Sequence, residues 1–221
     1  MKRILTTLKL TTVVVLLGSA IAGSGPGSAT TAPFEGTIEF TKTIGPVTSR
    51  YVYYVKNEKV RVEELGEDGN VQGIMLINTT KNTVVALSPE RKMFIEVPNA
   101  KPNNESNLKI DKTKNVKTIK GYECAEWKVT CTEDGREVSY WVAKDNFNFF
   151  IPLLKTLNRK DKIAMYFVEI PENIGVFPLV GYEKKTNGVE LSRLEVNKVN
   201  KSLLKDLMFD IPAGFAKFER E

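Results

Sequence analysis

The sequence predicts a mostly β protein of the α+β class: a curved antiparallel meander, or half-barrel, of about ten strands covered by one main helix. Two observations support this. Short runs of strand-forming residues, separated by turn residues, fill the chain between residues 34 and 97 and recur between 121 and 145. Between residues 150 and 169 the apolar residues change to the spacing of an amphipathic helix.

The first residues are typical of a secretory signal peptide. A basic start and an apolar run, Leu10 to Leu17, precede the small-residue pattern Ala20-Ile21-Ala22. The apolar run is shorter than the roughly 20 residues of a membrane-spanning helix, and no cysteine follows it to carry a lipid anchor. We therefore expect a signal peptide at 1–22, a flexible Gly/Ser/Pro linker at 23–33, and a periplasmic or secreted mature protein without an integral membrane span.

The charge of the mature chain is nearly balanced. The leader contains three of the 32 basic residues and none of the 27 acidic ones, so its removal lowers the formal net charge from +5 to +2. Lys and Glu are interspersed, whereas a nucleic-acid-binding protein presents a basic stripe or patch. The lysine-rich run at 109–120 fits a solvated linker and edge strand better than a phosphate track, so no nucleic-acid partner is expected.

Tight turns set the expected register of the first strands. Asp68-Gly69 is a strong hairpin signal, because a two-residue primed turn requires positive φ, and weaker turn dipeptides separate the other runs. With each dipeptide as a two-residue loop, one face is apolar across five strands, and a one-residue slip would turn that set to the other face. The expected pairs are Tyr53–Val62, Val55–Val60, Val62–Met75, Val60–Ile77, Ile77–Val84, Met75–Ala86, Ala86–Met93 and Val84–Ile95.

A later hairpin contains both cysteines. With Asp134-Gly135 as a two-residue loop, the expected pairs are Trp127–Val142, Val129–Tyr140, Cys131–Val138, Lys128–Trp141, Thr130–Ser139 and Cys124–Asp145. This hairpin belongs to a single domain, expected to span 34–221 and to contain an exposed linker at 98–112.

The two cysteines are expected to form neither a disulfide nor a metal site. They lie on opposite faces of one strand, about 23 Å apart, whereas a disulfide requires Cα atoms within roughly 7 Å. The chain has no histidine, and two distant thiols cannot supply the four ligands that zinc usually takes. CxxC redox spacing is also absent. We interpret Cys131 as a small core residue and Cys124 as a half-buried one.

One amphipathic helix of about 18 residues is expected after the cysteine hairpin. Pro152 is tolerated in its first turn, and Pro171 ends it. Two further strands separated by Asn187-Gly188, and a closing tail at 208–215, complete the domain. The apolar stripe of the helix consists of Phe150, Leu153, Leu154, Leu157, Ala164, Met165 and Val168.

The sequence predicts no enzyme, no catalytic residue and no cofactor. Without histidine, the commonest general base and the Ser-His-Asp and Cys-His arrangements are missing. No GxSxG, GxGxxG or P-loop motif occurs. Two pairs of neighbouring carboxylates occur, Glu63-Glu64 and Glu67-Asp68. Adjacent residues of a strand point to opposite faces, so the two members of each pair cannot act together. A glycosidase-type pair of carboxylates from distant strands is the alternative that remains open.

Four phrases in a fixed order, IKGYECAEW, YWVAKD, VFPLVGYE and LMFDIPAGF, give the chain a family resemblance. It resembles DUF4412, a family of exported bacterial proteins defined as a domain of unknown function. The resemblance implies the half-barrel fold of periplasmic lipoprotein carriers and their outer-membrane receptors (LolA/LolB-like), in which helices close a curved sheet over an apolar cavity. It implies no catalytic residue. Phe177 departs from the pattern, which more often has a small residue near the proline. The matching residues are Gly121, Tyr122, Cys124, Trp141, Val142, Lys144, Asp145, Pro178, Leu179, Phe209, Ile211, Pro212, Gly214 and Phe215.

Two functions follow as hypotheses. The first is a periplasmic binding protein that holds a lipid, an acyl chain or another apolar ligand between sheet and helix. The second is a structural or partner-binding cell-envelope protein that uses the second apolar face of the sheet, formed by Tyr54, Ile74, Leu76, Val85, Leu87 and Phe94. The structural alternative to both is that the helix and the C-terminal tail simply cover that face. The expected cavity residues are Tyr53, Val62, Met75, Val84, Met93, Ile95, Phe150, Leu154, Leu157 and Met165.

Overall fold

A single twelve-stranded sheet organises the described part of the chain, residues 32–98 and 106–219 of the computed structural model. The expected signal peptide and residues 23–31 of the linker lie outside these residues. The strands are β1 (Gly36–Ile44), β2 (Val47–Lys56), β3 (Lys59–Leu65), β4 (Val71–Asn78), β5 (Thr83–Ser88), β6 (Met93–Val97), β7 (Lys109–Ile119), β8 (Tyr122–Cys131), β9 (Arg136–Lys144), β10 (Val176–Lys185), β11 (Glu190–Lys201) and β12 (Ala216–Lys217).

The strand order is β12-β6-β5-β4-β3-β2-β1-β11-β10-β9-β8-β7, antiparallel throughout except for the parallel pair β12 and β6. The predicted fold class, a mostly β, curved, open antiparallel sheet with helical cover, is confirmed. The sheet has twelve strands rather than about ten. Of the stretch expected as an exposed linker, 98–112, residues 99–105 lie outside the described residues, and residues 109–112 belong to the edge strand, since β7 begins at Lys109.

The expected register is correct from β2 to β5. Tyr53 pairs with Val62, Val62 with Met75, and Met75 with Ala86, as the turn dipeptides predict. The remaining expected pairs of these four strands, Val55–Val60, Val60–Ile77 and Ile77–Val84, are also present.

Between β5 and β6 the expected pairs Ala86–Met93 and Val84–Ile95 are wrong by two residues. Ala86 pairs with Ile95, and Val84 with Val97. A two-residue primed turn requires positive φ at its first residue, which the ring of Pro89 forbids. The chain forms a four-residue loop instead, and Lys92 takes the positive φ of 49°. A shift of two residues keeps every side chain on its expected face.

The cysteine hairpin shows the same error. Trp127 pairs with Tyr140, and Cys131 pairs with Arg136, so residues 132–135 form a four-residue loop in which Gly135 adopts a φ of 59°. The side chain of Asp134 is held by Lys162 and by the Tyr166 hydroxyl. The other observed pairs are Val129–Val138, Lys128–Ser139, Thr130–Glu137 and Cys124–Ala143, each two residues from the expected one.

Two short helices, α1 (Phe150–Leu157) and α2 (Lys162–Glu169), replace the single expected helix. Asn158 ends α1 in the left-handed conformation, which asparagine tolerates better than most residues, and its N–H donates to the Leu154 carbonyl. Asp161 then begins α2 by accepting a hydrogen bond from the Ala164 N–H at 3.1 Å. Within residues 32–98 and 106–219, no helix has both the length and the apolar character for crossing a membrane.

The concave face, defined here as the face that carries the helices, is densely packed over β8 to β10. The Tyr140 hydroxyl donates to the Ile163 carbonyl at 2.8 Å, and a side chain on Gly181 would place its Cβ 3.2 Å from Ile163. Because glycine has no side chain at this position, α2 can approach the sheet closely. An aromatic cluster joins both helices to this part of the sheet, made of Phe34, Trp127, Tyr140, Phe147, Phe149, Phe150, Phe167 and Phe177.

The C-terminal tail, residues 202–219, covers the opposite, convex face. Phe215 packs on a separate apolar cluster of Ile74, Leu76 and Leu87. The tail is anchored where Lys56 Nζ donates to the Leu204 carbonyl at 2.8 Å and Arg61 to the Met208 carbonyl at 3.1 Å. The second apolar face is therefore occupied largely by the tail, as the structural alternative anticipated, whereas the helical segment expected there lies on the concave face.

Replacing Phe215 with Ala should lower the free energy of unfolding by about 1–2 kcal/mol, because the half-buried ring would expose apolar surface on both sides of the contact. Urea denaturation of the purified domain measures this change. Leu207 lies on the same tail but is 78% exposed, so Leu207→Ala should change stability by less than about 0.5 kcal/mol. Equal losses in the two variants would show that the tail does not protect this cluster.

Candidate apolar binding site

Two adjoining cavities lie between α1 and the concave face of the strands from β1 to β6. The larger has a volume of about 540 Å³ and the smaller about 60 Å³. Tyr51, Val62, Leu157 and Arg159 line both, so the two spaces lie side by side at the end of α1. The aromatic cluster fills the other half of the hollow, which is why the space remains on this side.

An aromatic wall of Phe40, Tyr51 and Tyr53 lines the smaller cavity. Phe40 on β1 stacks on Tyr51 with ring centroids 5.3 Å apart and meets Tyr53 edge-on at 4.7 Å. The register places these residues side by side, since Phe40 pairs with Tyr51 on the neighbouring strand. Such rings give a rigid, apolar surface with hydroxyl groups at its border.

The larger cavity has an aliphatic wall formed by β4, β5 and β6. Met75 pairs with Ala86, and Val84 with Val97, so these four side chains form one patch of the concave face. Met75 is half-buried. Its flexible thioether side chain can adapt to ligands of different shape.

Charged side chains are confined to the rim. Lys42 forms an ion pair with Asp161 at 3.0 Å, and the Tyr51 hydroxyl donates to Glu64 Oε1 at 3.3 Å. Arg159, in the segment between α1 and α2, is exposed and borders both cavities. The site therefore has an apolar interior and a polar edge, which is the arrangement of a pocket for a small amphipathic or apolar molecule.

Burial dominates the acid–base behaviour of the aromatic wall. It raises the pKa of Tyr53 to about 12, and it raises the pKa of Tyr51 as well. The Arg159 guanidinium acts against burial in both cases, because a nearby positive charge favours the phenolate. At neutral pH both phenols are protonated and the wall carries no charge.

The Tyr53 phenol should make the protein less stable in alkaline solution. Between about pH 10 and pH 12 the unfolded chain loses this proton while the folded chain retains it, so the free energy of unfolding falls as pH rises. The fall should be larger in the wild type than in Tyr53→Phe by up to about 2 kcal/mol. Chemical denaturation of both proteins across this pH range measures the difference. Parallel curves would mean that Tyr53 ionises normally in the folded protein.

The structure places seven of the ten expected cavity residues on the two cavities. These are Tyr53, Val62, Met75, Val84, Phe150, Leu154 and Leu157. Met93, Ile95 and Met165 do not line either one. The two-residue shift in β6 moves Met93 opposite Ser88, near the loop, and brings Val97 to the cavity instead. Met165 follows the helix break on α2 and packs against the core.

Sequence reasoning also missed cavity residues. Phe40 and Tyr51 could have been found, since Gly45-Pro46 taken as a two-residue loop pairs them correctly on the concave face. Val97 required the true length of the loop after β5. Arg159 required the helix break, because in one continuous helix it would occupy an ordinary polar position.

Both cysteines are free and buried. The expectation that Cys124 is only half-buried is wrong, because its side chain is fully enclosed opposite Ala143 on β9. Burial raises the pKa of the Cys124 thiol, so the reactive thiolate is suppressed. In the described residues, no group of three or more Cys, Asp or Glu side chains is arranged to hold a metal ion.

A thiol-alkylating reagent should leave the folded protein unlabelled and add two adducts after unfolding without reductant, because both thiols are free but enclosed. Intact-mass spectrometry counts the adducts. Rapid labelling of native protein at one site would show that one of these strands opens readily, and absence of labelling after unfolding would reveal an oxidised pair.

Comparison with known proteins establishes the family of this chain. Residues 34–215 match the sequence profile of DUF4412, a domain of unknown function. The chain belongs to the DUF4412 family. The resemblance inferred from the four phrases is thereby confirmed. Among curated proteins, none matches the sequence significantly.

The DUF4412 domain shares its fold with an uncharacterised conserved protein from Thermus thermophilus. The TM-score is 0.52 at 10% sequence identity, over 83% of this chain and 89% of that one. Lower scores relate it to the MucA/MucB complex of Pseudomonas aeruginosa (TM-score 0.45, 14% identity, 82% of this chain and 55% of that one). A putative outer membrane lipoprotein-sorting protein domain from Vibrio parahaemolyticus gives a TM-score of 0.32 at 9% identity, covering 79% of this chain and 88% of that one.

Proposed function

We propose that this DUF4412 protein is an exported, non-enzymatic binding protein of the periplasm that holds a lipid, an acyl chain or another apolar ligand between its curved sheet and α1. The observation that carries the proposal is the 540 Å³ cavity on the concave face. Its volume lies within the range of about 300–1,000 Å³ typical of small-molecule sites.

The composition of the walls supports an apolar ligand. The aromatic wall of Phe40, Tyr51 and Tyr53 lines the smaller cavity and the aliphatic wall around Met75 and Val84 lines the larger one, with Tyr51 and Val62 common to both. Tyr53 is uncharged at neutral pH, as tyrosine ordinarily is, and burial raises its pKa further, to about 12. Each methylene group of a ligand that leaves water for such a surface contributes about 0.8 kcal/mol.

A partner-binding role in the cell envelope is the second candidate. The observation that favours it is a pair of apolar side chains on the C-terminal tail, Leu203 and Leu207, which are 91% and 78% exposed. Exposed apolar residues close together are typical of protein interaction surfaces. Native mass spectrometry of protein isolated from the periplasm distinguishes the two candidates: a copurified lipid supports the first, and a defined protein complex supports the second.

Replacing Met75 with Asp should abolish binding of a fluorescent fatty-acid probe, because it places a carboxylate within the apolar wall of the cavity. Fluorescence titration measures the loss. Met93→Asp is the matched control: the same substitution at a half-buried position on the same face of the sheet that does not line either cavity. This control should retain the wild-type affinity within about twofold.

Circular dichroism and thermal melting of each variant establish that it is folded before the titration. If folded Met75→Asp binds as well as the wild type, the probe does not use this cavity. If the wild-type protein binds no probe, the apolar-ligand function is wrong and the partner-binding role is favoured.

A further inference from the structure

We propose that the natural ligand of the cavity is an amphiphile with an anionic head group, and that Arg159 binds this head group at the cavity rim. The inference rests on the proposed binding function, since it specifies the chemical class of the ligand for the same site.

Arg159 is placed where the head group of such a ligand would lie. It follows Leu157, which lines both cavities, and precedes Asp161, which begins α2. Its side chain is exposed while bordering both apolar spaces. A ligand with its chain along the aromatic wall would therefore leave the cavity beside this guanidinium, with its head group still in contact with water.

The positive field of Arg159 reaches into the cavity. It lowers the pKa of both Tyr51 and Tyr53 against the effect of burial. For Tyr53 this effect exceeds the opposing one of Asp161. An anion at the position of the Tyr53 phenol would experience the same attraction, whereas at Tyr51 the opposing effect of Glu64 exceeds that of Arg159.

The neighbouring charges at the rim determine on which side of the opening an anion would lie. Lys42 and Asp161 form an ion pair at 3.0 Å, so their charges largely cancel. Glu64 accepts a hydrogen bond from the Tyr51 hydroxyl at 3.3 Å. An anionic head group would have to lie on the Arg159 side of the opening, since Glu64 would repel it.

Arginine suits this role better than lysine. Its planar guanidinium can donate two parallel hydrogen bonds to one carboxylate or phosphate, and it remains charged at any physiological pH. Since the side chain is exposed, the expected gain is modest, and salt in the buffer should reduce it.

The test compares three ligands with the same chain: palmitate, hexadecanol and hexadecylamine. Competition with a fluorescent fatty-acid probe at about pH 8 gives the affinity of each for the wild-type protein. Palmitate should bind about 3- to 10-fold more tightly than hexadecanol, and hexadecylamine no more tightly than hexadecanol. Acetate should not compete, because the apolar chain provides most of the affinity.

Arg159→Gln should weaken palmitate binding about 3- to 10-fold and leave hexadecanol within about twofold. Lys155→Gln is the matched control, because it removes the same charge from an exposed position of α1 that borders neither cavity. Lys155→Gln should leave the affinities for palmitate and hexadecanol unchanged. Glu64→Gln should strengthen palmitate binding, since it removes a nearby negative charge.

The results distinguish a failure of the head-group inference from a failure of the proposed binding function. Equal affinity of the wild type for palmitate and hexadecanol overturns the head-group inference and leaves the apolar binding function standing. The same conclusion follows if Arg159→Gln weakens the binding of palmitate and hexadecanol equally, because that pattern indicates a structural role for Arg159. If neither ligand binds the wild type, the proposed function itself fails, and the inference fails with it.

Discussion

Two helices of eight residues each have to cover the concave face of a twelve-stranded sheet. A helix of that length extends only about 12 Å, while twelve strands at a spacing of about 4.8 Å span several times that distance. The helices can therefore pack closely on only part of the face. The aromatic cluster, the position of the cavity and the role of the C-terminal tail all depend on this mismatch.

The helices pack closely on one part of the concave face and leave another part open. Over β8 to β10, large aromatic rings and the hydrogen bond from Tyr140 to Ile163 hold α2 close to the sheet, and this region has the packing of an ordinary core. Over β2 to β5, the end of α1 covers part of the sheet, and an apolar hollow remains. The same asymmetry places Arg159, in the segment between the helices, at the border of the hollow.

The convex face and the two sheet edges carry features that oppose pairing with another sheet. The tail buries the convex cluster under Phe215, and β12 pairs with the first two residues of β6, Met93 and Phe94, so that part of the β6 edge is covered. At the other edge, Lys112 and Lys117 of β7 lie over Trp127 and Trp141, at 4.6 and 3.8 Å from the ring centroids. Charged side chains on an edge strand oppose pairing with another sheet.

The sequence by itself determined the fold class, the family, the register from β2 to β5 and the face on which the apolar residues of these strands lie. Strand faces alternate with a period of two, so even where the hairpins after β5 and β8 were misjudged by two residues, the apolar set stayed on the expected face. Seven of the ten proposed cavity residues lie on the cavities for that reason. Only the tertiary structure decided which half of the hollow is filled and where the helix breaks. The length of a hairpin loop depends on single φ angles such as that of Lys92. The filling of the hollow depends on how aromatic rings from distant strands pack together. The apolar pattern along the chain contains neither kind of information.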